Sequence, residues 1–136
     1  MAKQSSMDFE IQFYEGILQK KPDFLQALIA VGDLYTKKGL YQQGLAVDEK
    51  LSRLRPTDPY ILYNLACSYS LVGRVDQAYE AIKKAIACGY EDFRFLERDE
   101  DLANLLRDPR FGEYFLQIKE QRKNPRSPQN HSTRER

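Results

Sequence analysis

The chain repeats itself at an interval of 34 residues. Pro22 and Pro56 lie 34 apart, as do Tyr35 and Tyr69, Gly39 and Gly73, Gln43 and Gln77, and Lys50 and Lys84. Apolar positions keep the same step, with Leu28 matched by Leu62 and Val31 by Leu65. One such pair is chance, but a run of Tyr, Gly, Gln and Lys in a single register is a pattern. A period of 20–50 residues marks stacked supersecondary units, each of which hides its apolar face only against its neighbours.

Each unit reads as two helices. In the first unit Asp23 is the expected N-cap, and Leu25, Leu28, Val31 and Tyr35 recur at helical spacing. Gly39 ends that helix, because glycine enters the left-handed region at little cost. The return helix runs from Tyr41 to Leu54, with Leu45, Leu51 and Leu54 on one side. Pro56 stops it, since the residue before proline is pushed out of the α region. In the second unit Pro59 opens a helix through Leu71, Gly73 turns the chain, and Val75–Cys88 returns. A lone helix over roughly Met7 to Lys20 precedes both units, with Phe9, Phe13 and Ile17 on one face. Pro22 closes it in register, so it reads as the second half of a truncated repeat.

A chain of 136 residues fits one domain, and with 42% apolar residues it has the material for a core. Its 21 basic and 20 acidic residues leave a net charge of +1, which excludes a nucleic-acid binder defined by charge alone. No apolar run is long enough for a secretory signal or a membrane span, so a cytoplasmic location is expected. Cys67 and Cys88 stand 21 apart with no histidine near either, which argues against a zinc or redox site; nothing requires a disulfide between them. The one histidine, His131, lies near the C-terminus. With no core histidine and no phosphate-binding glycine motif, the expectation is a non-enzyme that needs no cofactor and no metal. The acidic run Glu97, Asp99, Glu100 and Asp101 lacks calcium-loop spacing and reads as helix capping.

These features together resemble the tetratricopeptide repeat family, built from 34-residue helix–turn–helix units, over about Phe9 to Gly89. The family's small first-helix residue falls on Gly32 and Ala66, and the aromatic after it on Tyr35 and Tyr69. Its turn glycine falls on Gly39 and Gly73, the small residue of the second helix on Gly44 and Ala78, and its proline on Pro22 and Pro56. Tyr90 stands where the next proline would be, so the regular array ends there. Asp48 takes a position the family fills with a bulky apolar residue, where Ile82 stands in the second unit. It is expected either to pair with a nearby base or to turn toward the surface.

The segment after Gly89 resembles the terminal element that follows the last repeat in many bacterial members of the family. Asp92 caps one short helix with Phe93 and Leu96, and Asp99 precedes another with Leu102, Leu105 and Leu106. Asp108-Pro109 opens a last helix whose stripe is Phe111, Tyr114, Phe115 and Ile118. These helices are suited to cover the last exposed repeat face. The expected fold is therefore all-α: a short right-handed solenoid of antiparallel helix pairs with a helical C-terminal cap. Its parts are a half repeat at 7–22, repeats at about 25–58 and 59–90, and a cap at 91–120. Residues 121–136 hold five basic residues, one Glu, two prolines and no apolar residue, and are expected to form a disordered basic tail. Without interleaved aromatics that tail offers nucleic acid only salt-sensitive attraction, so it reads as solubilising.

The resemblance implies that the first helix of each repeat lines an inner groove. On that basis Gln26, Ile29, Asp33, Thr36 and Lys37 face it from the first unit, and Tyr60, Tyr63, Asn64, Cys67 and Ser70 from the second. Tyr60 and Tyr63 are the expected aromatic anchors, and Asn64 suits a peptide main chain because it both donates and accepts. Ile29 and Asp33 stand where the family's carboxylate clamp needs other residues, which argues against an acidic ligand. The function these features imply is a non-catalytic interaction scaffold holding a partner peptide or helix, with Ile29, Asp33, Lys37, Tyr60, Tyr63, Asn64 and Cys67 as partner-binding residues. The alternative is a structural module that self-associates as a homo-oligomer through the unpaired N-terminal helix. Neither a specific nucleic acid nor a membrane span is expected.

Overall fold

The computed structural model describes residues 2–123. Eight α-helices follow one another: α1 Ala2–Lys20, α2 Leu25–Lys38, α3 Tyr41–Leu54, α4 Pro59–Leu71, α5 Val75–Ala87, α6 Phe93–Arg98, α7 Ala103–Leu106 and α8 Pro109–Lys123. A single 3₁₀ turn, Glu100–Leu102, leads into α7, and no strand occurs among the described residues. Helices α1 to α5 pack each against the next, and the cap closes on α4 and α5.

The turns form where the glycines require them. Gly39, Gly73 and Gly89 have φ of 87°, 86° and 116°, a region costly for any residue with a Cβ. At each, two main-chain bonds close the helix end in the same way. Leu40 N donates to Tyr35 O at 2.8 Å, Arg74 N to Tyr69 O at 2.9 Å, and Tyr90 N to Ala85 O at 2.9 Å. Asp58 caps α4, accepting from Tyr60 N at 2.9 Å and Ile61 N at 3.2 Å, with Pro59 at the first helical position. Asp23 does not cap α2. Phe24 holds the cap position without a side-chain bond, and Asp23 instead meets Lys50 Nζ at 3.1 Å.

The repeat is also written in tertiary bonds. Tyr35 Oη donates to Glu15 Oε2 at 2.5 Å, and Tyr69 Oη donates to Glu49 Oε2 at 2.8 Å. Both donor and acceptor move by the 34-residue step, so α1 stands to α2 as α3 stands to α4. The small residues sit where paired helices approach. A Cβ on Gly32 would lie 3.1 Å from Val47 Cγ1, and one on Gly44 would lie 2.8 Å from Thr36 Oγ1. Ala66 and Ala78 are fully buried.

The apolar face of α1 differs from the expected one. Met7, Ile11, Tyr14 and Leu18 pack inward against Val31, Leu34 and Tyr35 of α2, while Phe9 and Phe13 point outward, 71% and 56% exposed. The inward set follows the i, i+4, i+7, i+11 spacing of one helical stripe. At the other end Leu96, Leu102, Leu105, Phe111 and Phe115 join Ile82, Ala85, Ile86 and Tyr90 in the largest cluster. Ser70, expected in the groove, is buried beneath this cap instead: its Oγ accepts from Leu105 N at 3.2 Å and its carbonyl from Asn104 Nδ2 at 2.8 Å. Arg110 ties α8 to α5 through Asp76 Oδ1 at 2.6 Å. Helix α8 runs to Lys123, so Gln121–Lys123 are helical rather than part of a tail. The remainder of the expected disordered tail, with His131, lies outside the described residues.

Candidate functional site

A cavity of about 620 Å³ lies between α2 and α4 and is closed at one side by the cap. Helix α2 supplies Ile29, Asp33 and Thr36, helix α4 supplies Tyr60, Tyr63, Asn64, Cys67 and Ser68, and the cap supplies Phe95, Asp99 and Asp101. The i, i+3, i+4, i+7 spacing along α4 is what places Tyr60, Tyr63, Asn64 and Cys67 on one face. Six of the seven residues singled out from the sequence therefore line one cavity. The seventh, Lys37, does not line it; its ammonium is held at 3.0 Å by Asp33, one turn back on the exposed edge of α2.

The two tyrosines play different parts. Tyr60 is 66% exposed, whereas Tyr63 is 4% exposed and packs as core. The ring of Tyr63 stacks on Tyr90 at 4.3 Å between centroids, and its hydroxyl donates to Asp99 Oδ2 at 2.6 Å. Tyr63 is thus not a free anchor: one face of its ring is already taken by Tyr90. Tyr60 meets the same Tyr90 edge-on at 5.8 Å. Tyr90, standing where the earlier units have proline, fixes the position of both. Cys67 is likewise core. Its thiol donates weakly to Asp99 Oδ2 at 3.7 Å, and burial pushes that thiol well above the ordinary cysteine range. Asn64 and Ile29 remain exposed and open to a ligand.

Asp48 overturns its expectation. It neither pairs with a base nor turns to the surface: it is 8% exposed and its Oδ2 accepts from Ser68 Oγ at 2.5 Å. Gly32 faces it across the α2–α3 approach, where an added Cβ would crowd Val47 at 3.1 Å and touch Asp48 Oδ1 at 3.5 Å. Burial pushes the Asp48 carboxyl up to about 6; the Ser68 bond works against the shift and the Asp33 charge adds to it. Asp99 does two jobs that the sequence shows only as one. Its Oδ1 caps the 3₁₀ turn by accepting from Asp101 N at 3.0 Å, and its Oδ2 reaches Tyr63. Burial also raises the Asp101 carboxyl.

Five aspartates, Asp33, Asp48, Asp58, Asp99 and Asp101, border this cavity, and among the described residues neither lysine nor arginine does. They form no group able to hold a metal ion among the described residues. Asp48, Tyr90, Phe95 and Asp99 are the site-shaping residues the sequence did not single out as such. Of these, Asp48 carried a signal as a charged residue at a core position, Tyr90 as a departure from the repeat proline and Asp99 as a helix start, whereas Phe95 carried none.

No family model matches the chain. Over 89 residues it is 32% identical to a chloroplastic protein of Arabidopsis thaliana, covering 63% of this chain and 27% of that protein. The chain thus spans about a quarter of the length of this curated relative. Among solved structures it superposes on MamA 41-end from Desulfovibrio magneticus RS-1 with a TM-score of 0.66 at 20% identity, covering 93% of this chain and 72% of that one. A MamA RS-1 ArsTM double mutant gives 0.70 at 19% identity over 92% of this chain and 71% of that one. A further MamA crystal structure gives 0.69 at 20%, over 90% and 68%. The chain has an all-α helical-repeat fold. At these identities the likeness is one of fold. No helix among the described residues is long and apolar enough to cross a membrane.

Proposed function

We propose that the chain is a non-catalytic protein-interaction scaffold that holds an extended segment of a partner in the cavity between α2 and α4. The observation that carries this reading is a concave site of about 620 Å³ with exposed Ile29, Tyr60 and Asn64 on its walls. Tyr60 offers a large amphipathic ring at small entropic cost, and Asn64 offers a donor and an acceptor to a main chain. Asp33 sets a cationic preference at the α2 edge, and Lys37 screens it from outside. Tyr63 and Cys67 serve as the floor. The helical-repeat fold shared with the MamA structures favours a binding role over catalysis.

The test is a titration of the isotopically labelled protein with candidate peptides, followed by the double variant Tyr60→Ala, Asn64→Ala. Affinity should fall at least tenfold while the melting temperature stays within a few degrees. Binding that survives this double variant would place the site elsewhere. A second reading, self-association through α1, rests on the outward Phe9 and Phe13. Sedimentation at rising concentration should show assembly that Phe9→Ser with Phe13→Ser abolishes.

A further inference from the structure

The cavity between α2 and α4 combines an apolar rim with an acidic interior. Ile29, Tyr60 and Phe95 are large apolar side chains standing in solvent, and all three border it, from α2, α4 and α6. The rings of Tyr60, Tyr90, Tyr63 and Phe95 follow one another, each centroid within 6.1 Å of the next. Exposed apolar groups gathered at one concave site, rather than scattered singly, mark a surface that another chain covers.

The five aspartates of the cavity are not equivalent. Asp58 is engaged as the cap of α4, and both oxygens of Asp99 are taken, one by Asp101 N and the other by Tyr63 Oη. Asp33 is held from outside by Lys37 at 3.0 Å. Asp48 is more than nine-tenths buried and lines the cavity, yet only its Oδ2 is bonded, to Ser68; Oδ1 has no donor among the described residues. The Asp101 carboxylate likewise has no hydrogen bond or ion pair among the described residues, although its main-chain N–H is engaged. Burial raises the carboxyls of Asp48 and Asp101, and the charge of Asp33 adds to each shift. Carboxylates from α2, α3 and the cap therefore converge on a space that, among the described residues, no lysine or arginine lines. A cation entering there relieves the like-charge repulsion and supplies the donor that Asp48 Oδ1 lacks.

We propose that the cavity receives an arginine side chain from an extended partner segment, its guanidinium among Asp33, Asp48 and Asp101 and its apolar neighbours on Ile29, Tyr60 and Phe95. This specificity rests on the scaffold reading and names the partner's chemistry. Arginine suits the site better than lysine, because a planar, weakly hydrated guanidinium bonds carboxylates through several donors and stacks on aromatic rings.

The probes are three capped pentapeptides of leucine and alanine whose central residue is arginine, citrulline or glutamate, titrated into the isotopically labelled full chain. Citrulline keeps the shape of arginine and loses its charge. The arginine peptide should shift the amides of Ile29, Asn64 and Phe95 and bind about tenfold more tightly than the citrulline peptide, with the glutamate peptide weaker still. Asp48 is faced by Asp33 of α2, by Ser68 and Cys67 of α4, and by Asp99 and Asp101 of the cap. Its carboxyl, raised to about 6, takes up a proton as pH falls from 7 to 5, so the arginine preference should shrink about threefold over that range. Asp48→Asn with Asp101→Asn should bring the arginine peptide down to the affinity of the citrulline peptide, and Asp33→Asn, at an exposed position, should give part of that loss. Equal binding of the arginine and citrulline peptides at these amides overturns the proposal and leaves the scaffold reading standing. An arginine peptide that shifts none of these amides also overturns it. Shifts by all three peptides that map away from the cavity overturn both readings.

Discussion

Asp48 is a charged group held in a place suited to an apolar one, and the cost depends on pH. Its carboxyl is raised to about 6 in the folded chain from an ordinary value of 3.8. Between these values the folded state binds more protons than the unfolded one, so stability falls as pH rises. The stabilising contribution of the protonated form is complete below about pH 4 and is lost as pH passes through about 6. At 1.36 kcal/mol per pH unit the difference is about 3 kcal/mol. Asp48→Asn keeps an acceptor for Ser68 and removes the charge. It should raise stability at pH 7 by about 1–3 kcal/mol and change it little at pH 4, as read from urea unfolding at the two pH values. Equal effects at both would show that the charge is not the cause. The two tyrosines should separate just as sharply. Tyr63→Ala removes a buried stacked ring and the Asp99 bond and should cost about 3–5 kcal/mol. Tyr60→Ala should cost under about 1 kcal/mol, because that ring is mostly in solvent. Similar melting losses in the two variants would contradict this assignment.

At the scale of the element, the helix pairs are spaced by small residues and ended by glycines. Ala78 is fully buried at the approach of α5 to α4. Ala78→Phe should destabilise by roughly 1–3 kcal/mol or more through overpacking, and an unchanged thermal melt would refute the placement of this crossing. Gly73 tests the turn. Its φ of 86° is unfavourable for alanine, although nothing lies within 4 Å of the added Cβ. Gly73→Ala should therefore cost about 1–2 kcal/mol from backbone strain alone. Because this cost is local, it should add to that of a change at Gly39 without coupling.

The whole molecule is a stack with two unlike ends. The C-terminal end is sealed by the cap, whose Leu96, Leu102, Leu105 and Phe111 cover Ile82, Ala85 and Tyr90. The N-terminal end presents Phe9 and Phe13 to solvent. Since repeats are stabilised by their neighbours, loss of the cap should spread inward. A chain ending at Gly89 should lose its cooperative melt, because Tyr63 and Ile82 would both face water. A chain ending at Lys123 should keep the melting behaviour of the full protein, since the described core is complete without residues 124–136. Circular dichroism melts of the two truncations decide both expectations; a cooperative transition in the shorter chain would show that the cap is dispensable.

Local chemistry settles one part of this architecture and is legible in the chain itself. The 34-residue step, the glycine turns at Gly39 and Gly73 and the Pro59 helix start act within one or two turns of chain, and the described helices begin and end at them. Six of the seven residues named for the groove also meet at one cavity, because helical spacing alone puts Tyr60, Tyr63, Asn64 and Cys67 on one side of α4. Other matters are settled in three dimensions. Two apolar stripes compete on α1, and the packing partner on α2 selects Ile11 over Phe9. Tyr63 is core rather than anchor because Tyr90 and Asp99, 27 and 36 residues away, are folded against it by the cap. Asp48 is buried rather than exposed where α3 packs against α2 and α4, and Ser68, 20 residues on, supplies it a donor. A side chain's environment is set by whatever the fold brings beside it, and those neighbours lie far outside the range over which helix and turn signals act.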